Sequence, residues 1–465
     1  MDPTAWVAIL IICMAVVGVL RGVDVRLVLL AAALALGALA GDLAPIVREF
    51  LATFSNEKFV VPICTAMGFA YVMKHTECDK HLVLVLVRPL RYVRFLLIPG
   101  VVLVGFFVNI PVISQTSTAV CLGTVIAPLM RAAGFSPLAI GSCLLLGASV
   151  GGELLNPGAP ELLTVSAKTG VPTQQMWRNI LPLVLPILGV STFIFWIVTV
   201  RAERKLAKLE PQPATAENVP TVSERINPIK ALVPLVPLLL LFLSGPPLEL
   251  ISVPQRWMVN RPPHEPAAAV GGAAGAEALE RKKDASANTR LIGLAMLIGV
   301  GLAAAAAPTK AKGCAKAFFE GAGYGFTNII SLIVIANCFG KGIEQVGLAK
   351  QLGRLIAESP GLLHPLAGYV PALFAFVCGS GMASTQSLYG FFHQPALDHD
   401  QDPLEVGAMV SVGSAVGRTM SPVAAVVLMC ATLTGTKPFD LVKRVGPPLI
   451  AGLTVAIALR VLGFV

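Results

Sequence analysis

Long apolar stretches alternate with short polar interruptions along most of the chain. Residues 5–20, 27–41, 59–73, 181–199, 231–245 and 291–307 each read as a hydrophobic run bounded by charged or helix-breaking residues. Such runs approach the roughly 20 helical residues that cross a hydrocarbon core, and they lack the ten-residue alternation of a transmembrane barrel. Backbone groups inside a bilayer need internal partners, so the runs are expected to be helices. The pattern predicts an all-α polytopic membrane protein.

Two regions break the pattern. The run 97–110 stops at Pro111, the polar residues Ser114, Gln115, Thr116, Ser117 and Thr118 follow, and a second run covers 119–130. Neither arm crosses a membrane comfortably alone, which predicts a re-entrant hairpin with a polar tip; a kinked pair of spans with its turn outside is the alternative. The next helix starts near Pro137 and meets Gly151-Gly152-Glu153-Leu154-Leu155-Asn156-Pro157-Gly158. Proline removes a donor and glycine loosens the backbone, so a mid-membrane break is expected before the stop at Thr169-Gly170. Around these regions, His81–Leu97 carries Arg88, Arg91 and Arg94 on one face and reads as an interfacial helix with snorkelling arginines. The charged stretch 201–225 reads as a linker, and the Ala/Gly/Pro-rich insert 260–290, poor in apolar anchors, as mobile.

The second half repeats the first. Gly147-Ala148-Ser149-Val150-Gly151 matches Gly413-Ser414-Ala415-Val416-Gly417 at an offset of 266, which also carries Ser114 to Ser380 and Pro137 to Pro403. One deletion later the offset is 265, carrying Pro157 to Pro422 and Thr169-Gly170 to Thr434-Gly435. The spans between equivalent points number five, and an odd count turns the second copy over: two inverted repeats, each with a re-entrant hairpin and a broken helix. The expected divisions are amino-terminal helices 1–45, a first repeat 46–200, a connecting region 201–311 and a second repeat 312–465. With the amino terminus outside, most lysines and arginines fall on inner loops while Asp398, Asp400 and Asp402 fall outside, as the positive-inside rule asks.

Composition narrows the function. The chain is 55% hydrophobic and 13% charged, with mean hydropathy +0.78, too apolar for a soluble domain. Its net charge of +9 sits in short loops beside apolar runs, so nucleic acid is not an expected partner and membrane lipid is. The first run follows Asp2 without a basic residue and without a small-residue cleavage site before Arg21, which favours a retained helix over a signal peptide. The nine cysteines form no Cys-x-x-Cys pair and read as small hydrophobes. No zinc-protease or P-loop motif occurs, so transport here would draw on gradients, with a proton or sodium ion as coupling species and no other cofactor.

The broken segments supply the candidate site. Ser114–Thr118, Asn156-Pro157-Gly158, the stretch Cys378–Thr385 with Gly379, Ser380, Gly381, Ser384 and Thr385, and Thr419–Pro422 with Ser421 offer hydroxyls, amides and free helix amino ends. That lining suits a small anion. Arg418 stands at the same depth, where an unpaired charge is costly. It either pairs with Glu153 as a bridge between the halves, or caps carbonyls of the broken helix, or binds a substrate carboxylate bidentately. Glu153 and Glu161 are the candidates for ion coupling.

Gly417-Arg418-Thr419-Met420-Ser421-Pro422-Val423, followed by Lys437-Pro438-Phe439-Asp440-Leu441-Val442-Lys443-Arg444, resembles the carboxyl-terminal signature of the DcuC-type anaerobic four-carbon dicarboxylate transporters in the ion-transporter superfamily. Gly379-Ser380-Gly381 with the aromatics from Tyr389 to Phe392 is similar to that family's second hairpin. The resemblance implies a carrier, not an enzyme, of succinate, fumarate and malate. It further implies a homodimer in the bacterial inner membrane, with a transport domain moving against a scaffold like an elevator. Two other classes are an ion antiporter of the same superfamily, with Arg418 structural, and an intramembrane enzyme, which no paired aspartates or Ser/His constellation supports.

Overall fold

A computed structural model describes residues 3–21, 23–87, 97–209, 226–244, 250–251, 253–254, 272–347 and 360–464. In chain order its α-helices are α1 (Pro3–Leu20), α2 (Val25–Leu39), α3 (Ala44–Phe54), α4 (Glu57–Thr76), α5 (Cys78–Val87), α6 (Leu97–Asn109), α7 (Gln115–Ala132), α8 (Pro137–Ser149), α9 (Pro160–Thr169) and α10 (Trp177–Leu209). They continue with α11 (Pro228–Leu232), α12 (Val236–Ser244), α13 (Gly272–Ala306), α14 (Ala311–Gly325), α15 (Ser331–Gln345), α16 (Leu363–Cys378), α17 (Gly381–Asp398), α18 (Pro403–Thr419), α19 (Ala425–Thr434) and α20 (Pro438–Val461). No strand occurs among the described residues. Five helical stretches there are long and apolar enough to cross a membrane: Pro137–Thr169, Trp177–Leu206, Thr289–Ala306, Pro308–Gln345 and Pro438–Val461.

Helix boundaries follow local chemistry. Ser114 and Ser380 cap α7 and α17, their Oγ atoms accepting from the amides of Ser117 (3.3 Å) and Ala383 (3.2 Å). Ser136 and Asp402 cap α8 and α18, each with proline at the first helical position, where its missing N–H costs nothing. α9 and α19 both stop at a left-handed glycine, Gly170 (φ 75°) and Gly435 (φ 67°). These bounds keep the register of the sequence: α7 and α17 start at 115 and 381 and end at 132 and 398, an offset of 266, while α9 and α19 are offset by 265.

The helices fall into two packed groups. In one, α6–α9 interleave with α16–α19, through the pairs α6/α8, α7/α8, α16/α18, α17/α18, α8/α19 and α9/α17. In the other, α4 packs on α13 and α14, and α15 on α2 and α3. Contacts of α15 with α17 and of α4 with α9 join the groups. Small residues set the closeness inside the first group. Gly413 lies against the Gly368 carbonyl and Gly417 against the Ala372 carbonyl, and in the first half Gly147 lies against the backbone of α6 at Val101, Val102 and Gly105.

Some expectations meet the structure differently. Helix α10 continues to Leu209, through the first part of the expected linker, because Arg, Glu, Lys, Ala and Leu there are good helix formers; residues 210–225 lie outside the described residues. The expected insert 260–290 is helical from Gly272, and its earlier part lies outside them, as do Arg88, Arg91 and Arg94 of the expected interfacial helix. Helix α3 was not expected from the apolar pattern, nor was a π turn at Phe326–Ile330 between α14 and α15.

The close approach of α18 to α16 is testable. A Cβ on Gly417 would collide with the Ala372 carbonyl, whereas one on Gly323 of α14 meets nothing within 4 Å. Gly417→Ala is expected to lower stability by about 1–3 kcal/mol or more, and Gly323→Ala to change it little, in thermal unfolding of the detergent-solubilised protein. Equal melting of the two variants would contradict this packing.

Candidate functional site

Between the two groups lies a cleft of about 250 Å³. Four helix amino ends of the first group reach it. Ser114, Gln115 and Thr116 come from α7, Gly158, Pro160 and Glu161 from the entry to α9, Gly379, Ser380, Gly381 and Met382 from α17, and Ala425 and Val426 from α19. First-turn amides have no acceptor within their own helix, and each amino end carries roughly half a positive charge. A cleft that gathers four of them has a positive electrostatic character.

The breaks that create these ends are held by side chains. Gly151 takes φ 107°, a conformation open to glycine, and turns α8 into a short 3₁₀ segment, Gly152–Leu155. The Asn109 side chain accepts from the Glu153 amide (3.1 Å) and donates to the Val112 carbonyl (3.1 Å). Asn156 donates to the Ile110 carbonyl (2.8 Å) and accepts from the Gly158 amide (2.9 Å). Thr118 donates to Val112 (3.2 Å). The turn between α6 and α7 and the broken segment therefore form one hydrogen-bonded body.

Arg418, at the end of α18 and 6% exposed, ties the halves together. Its Nη2 pairs with Glu153 Oε1 and lies 3.3 Å from Ser149 Oγ, while Nη1 is 3.7 Å from Glu161 Oε1. Glu153 and Glu161 are 0% and 1% exposed. Thr419 Oγ1 donates to the Ser149 carbonyl (2.7 Å), adding a neutral link between the same two helices. One guanidinium thus faces two buried carboxylates, and only part of its donor set is in close contact with them. Glu153 Oε2, Glu161 Oε1 and Arg418 Nε have no hydrogen-bond partner among the described residues.

Of the residues expected at the site, the cleft is lined by Ser114, Gln115, Thr116, Gly379, Ser380, Gly381, Glu161 and Arg418. Ser117, Thr118, Asn156, Pro157, Ser384, Thr385, Thr419, Ser421, Pro422 and Glu153 are not among its lining residues. Ser384 donates to the Pro371 carbonyl (2.7 Å) and accepts from Ser414 (3.0 Å), a packing role. Thr385 and Ser421 are buried hydroxyls without a partner among the described residues. The opposite wall escaped the sequence reading: Ile63, Ala66 and Met67 of α4, and Tyr324, Asn328, Ile329 and Leu332 of the α14–α15 segment. Spacing of 324, 328 and 332 at four residues was a usable signal for one helical face, but an ordinary apolar span shows it too.

This geometry has a known setting. The sequence profile of the DcuC family, described as C4-dicarboxylate anaerobic carrier, matches residues 44–465. The chain belongs to this family. Its relatives include the anaerobic C4-dicarboxylate transporter DcuC of Escherichia coli K12, 24% identical over 406 residues, covering 84% of this chain and 77% of the relative. An uncharacterized transporter of Haemophilus influenzae is 33% identical over 135 residues, 29% of this chain and 93% of the relative; a second from that organism is 24% identical over 300 residues, 64% and 96%. This DcuC-family chain is thus a transporter rather than an enzyme, and with its apolar helices a multi-pass membrane protein.

The buried triad makes a stability prediction. Arg418→Gln leaves two carboxylates buried without their cation and is expected to cost about 3–5 kcal/mol. Adding Glu153→Gln removes the stranded charge nearest to it and should recover a substantial part in a double-mutant cycle read by thermal unfolding. Strict additivity of the two changes would show that the pair is not coupled.

Proposed function

We propose that this protein is a proton-coupled secondary carrier of small four-carbon dicarboxylates of the succinate, fumarate and malate kind. The observation that carries the reading is Arg418 at a cleft ringed by four helix amino ends. Its Nη2, held by Glu153 and Ser149, anchors the guanidinium, while among the described residues Nη1 has the longer 3.7 Å contact with Glu161. A substrate carboxylate takes Nη1 in place of Glu161, and the amino ends of α7 and α17 take the second carboxylate. The structural and the anion-binding roles of Arg418 then belong to its two different nitrogens.

Charge balance supplies the coupling. With both glutamates ionised, the triad carries one net negative charge, which opposes a dianion. A proton on Glu161, released from Arg418 as the substrate enters, makes the triad neutral and leaves the helix ends to bind the anion. A sodium ion at the same place would meet the guanidinium, so a proton is the coupling species that suits this geometry.

The register shared by the starts of α6–α9 and α16–α19 supports an inverted pair of repeats with two re-entrant hairpins, α6–α7 and α16–α17. The intertwined group of α6–α9 and α16–α19 is then the transport domain, and α2–α4 with α13–α15 the scaffold past which it moves in an elevator motion. A homodimer in the bacterial inner membrane completes the picture, by likeness to the family.

The test is uptake of labelled succinate, fumarate, malate and citrate by proteoliposomes under an imposed pH gradient. Wild type is expected to accumulate four-carbon dicarboxylates when the gradient is present. Glu161→Gln, a fixed neutral form, is expected to exchange substrate but to lose at least about tenfold of the gradient-driven accumulation. No uptake of any dicarboxylate would overturn the substrate class, and unchanged gradient dependence in Glu161→Gln, or a requirement for sodium, would overturn the coupling scheme.

A further inference from the structure

The wall facing Arg418 contains an irregularity that the anion site does not explain. Between α14 and α15 the helix passes through one π turn, in which the Ser331 amide donates to the Phe326 carbonyl, five residues back. An added residue of this kind leaves one carbonyl without its usual amide partner. Here the Ser331 amide is turned away from the Thr327 carbonyl, which accepts from Arg26 Nη1 at 2.8 Å and from the Ser331 hydroxyl. Arg26 also reaches Ser331 Oγ (3.2 Å), and Asp24 holds it in place, accepting from its Nε and Nη2 at 3.1 Å each and from its backbone amide at 2.8 Å. A side chain from the start of α2 therefore fixes the turn from 301 residues away.

The turn presents Asn328 to the cleft. Most of this wall is apolar, with Ile63, Met67, Ile329 and Leu332, and Asn328 and Tyr324 are its polar members. Asn328 Nδ2 donates to the Tyr324 carbonyl (3.0 Å). That bond settles which end of the amide is committed, because a carbonyl accepts only from the NH₂ end. What remains is Oδ1, an acceptor, together with the second amide hydrogen, a donor that can serve the oxygen of a substrate hydroxyl. A dicarboxylate dianion has no hydrogen to give from its carboxylates, and its carboxylates are drawn to Arg418 and the helix ends on the far side. An acceptor on the near wall pairs only with a donor carried by the carbon chain between them.

Resting on the dicarboxylate reading above, we propose that Asn328 is a specificity-determining residue that accepts a hydrogen bond from a hydroxyl or ammonium on a middle carbon, so that the cleft selects 2-substituted four-carbon dicarboxylates over the unsubstituted ones. Arg26 is the positioning residue that holds the π turn in the register this contact requires. The contact is partly open to solvent, so its worth is that of an ordinary net hydrogen bond and the selection it gives is modest, roughly three- to tenfold.

The experiment is competition in proteoliposomes of the full chain, with malate, aspartate and unlabelled succinate each displacing labelled succinate. In wild type, malate or aspartate is expected to compete roughly three- to tenfold better than succinate. In Asn328→Leu the ratio should fall towards one, in Asn328→Ser, which keeps a small acceptor, part of it should survive, and Arg26→Gln should lower the ratio in the same direction. Labelled succinate uptake in the same vesicles reports that each variant is folded. The proposal is overturned if wild type shows no such preference, if Asn328→Leu and Asn328→Ser keep the wild-type ratio, or if both lose all substrates in equal proportion. Absence of any dicarboxylate uptake by wild type is a separate outcome, and it removes the carrier reading itself.

Discussion

A guanidinium buried between two carboxylates is costly to form and costlier to break, and the architecture around Arg418 is arranged to keep it satisfied. Removing these charges from water is unfavourable, and their mutual attraction offsets that only with close geometry. The geometry is supplied by two helices from different halves of the chain. Ser149 and Thr419 bond across the same junction, and α18 lies close enough to α16 for Gly413 and Gly417 to touch backbone. Any larger side chain at those glycines would collide with the α16 backbone beside the triad.

The helix breaks do a second kind of electrostatic work. An unbroken helix hides its amino end at the membrane surface, whereas breaks at 150–159 and 420–424 and the turns before α7 and α17 bring four such ends to one cleft. Their partial positive charges face the side of the triad where Glu161 stands. Asn109 and Asn156 satisfy backbone groups that the first break would otherwise leave without partners in an apolar setting, which is why amides rather than apolar residues occupy those buried positions.

The two packed groups divide labour. The group carrying the triad is woven from both halves, so the helix ends that line the cleft from this side are packed into one body. The other group offers a mostly apolar wall that touches the cleft through α4 and the α14–α15 segment. The family membership and the relatives' transport names fit a site of this make-up.

Much of this was legible in the linear chain. Apolar runs, the Pro and Gly breaks, the register of 266 and then 265, and Arg418 as a charge out of place all follow from local chemistry, because helix periodicity, capping and breaking depend on residues a few positions apart. Which acids Arg418 would meet was open: pairing with Glu153 and carbonyl capping stood beside substrate binding, the reading the motif favoured. Its neighbours Glu153 and Ser149 lie 265 and 269 residues away, and only packing brings them together. The π turn and Asn328 were illegible for the same reason, since the group that stabilises the turn is Arg26, at the other end of the fold. The sequence by itself determined most of the helices, their proline and glycine breaks and the likeness to the family. The tertiary structure decided which charges face one another across the cleft, because that depends on contacts no local pattern encodes.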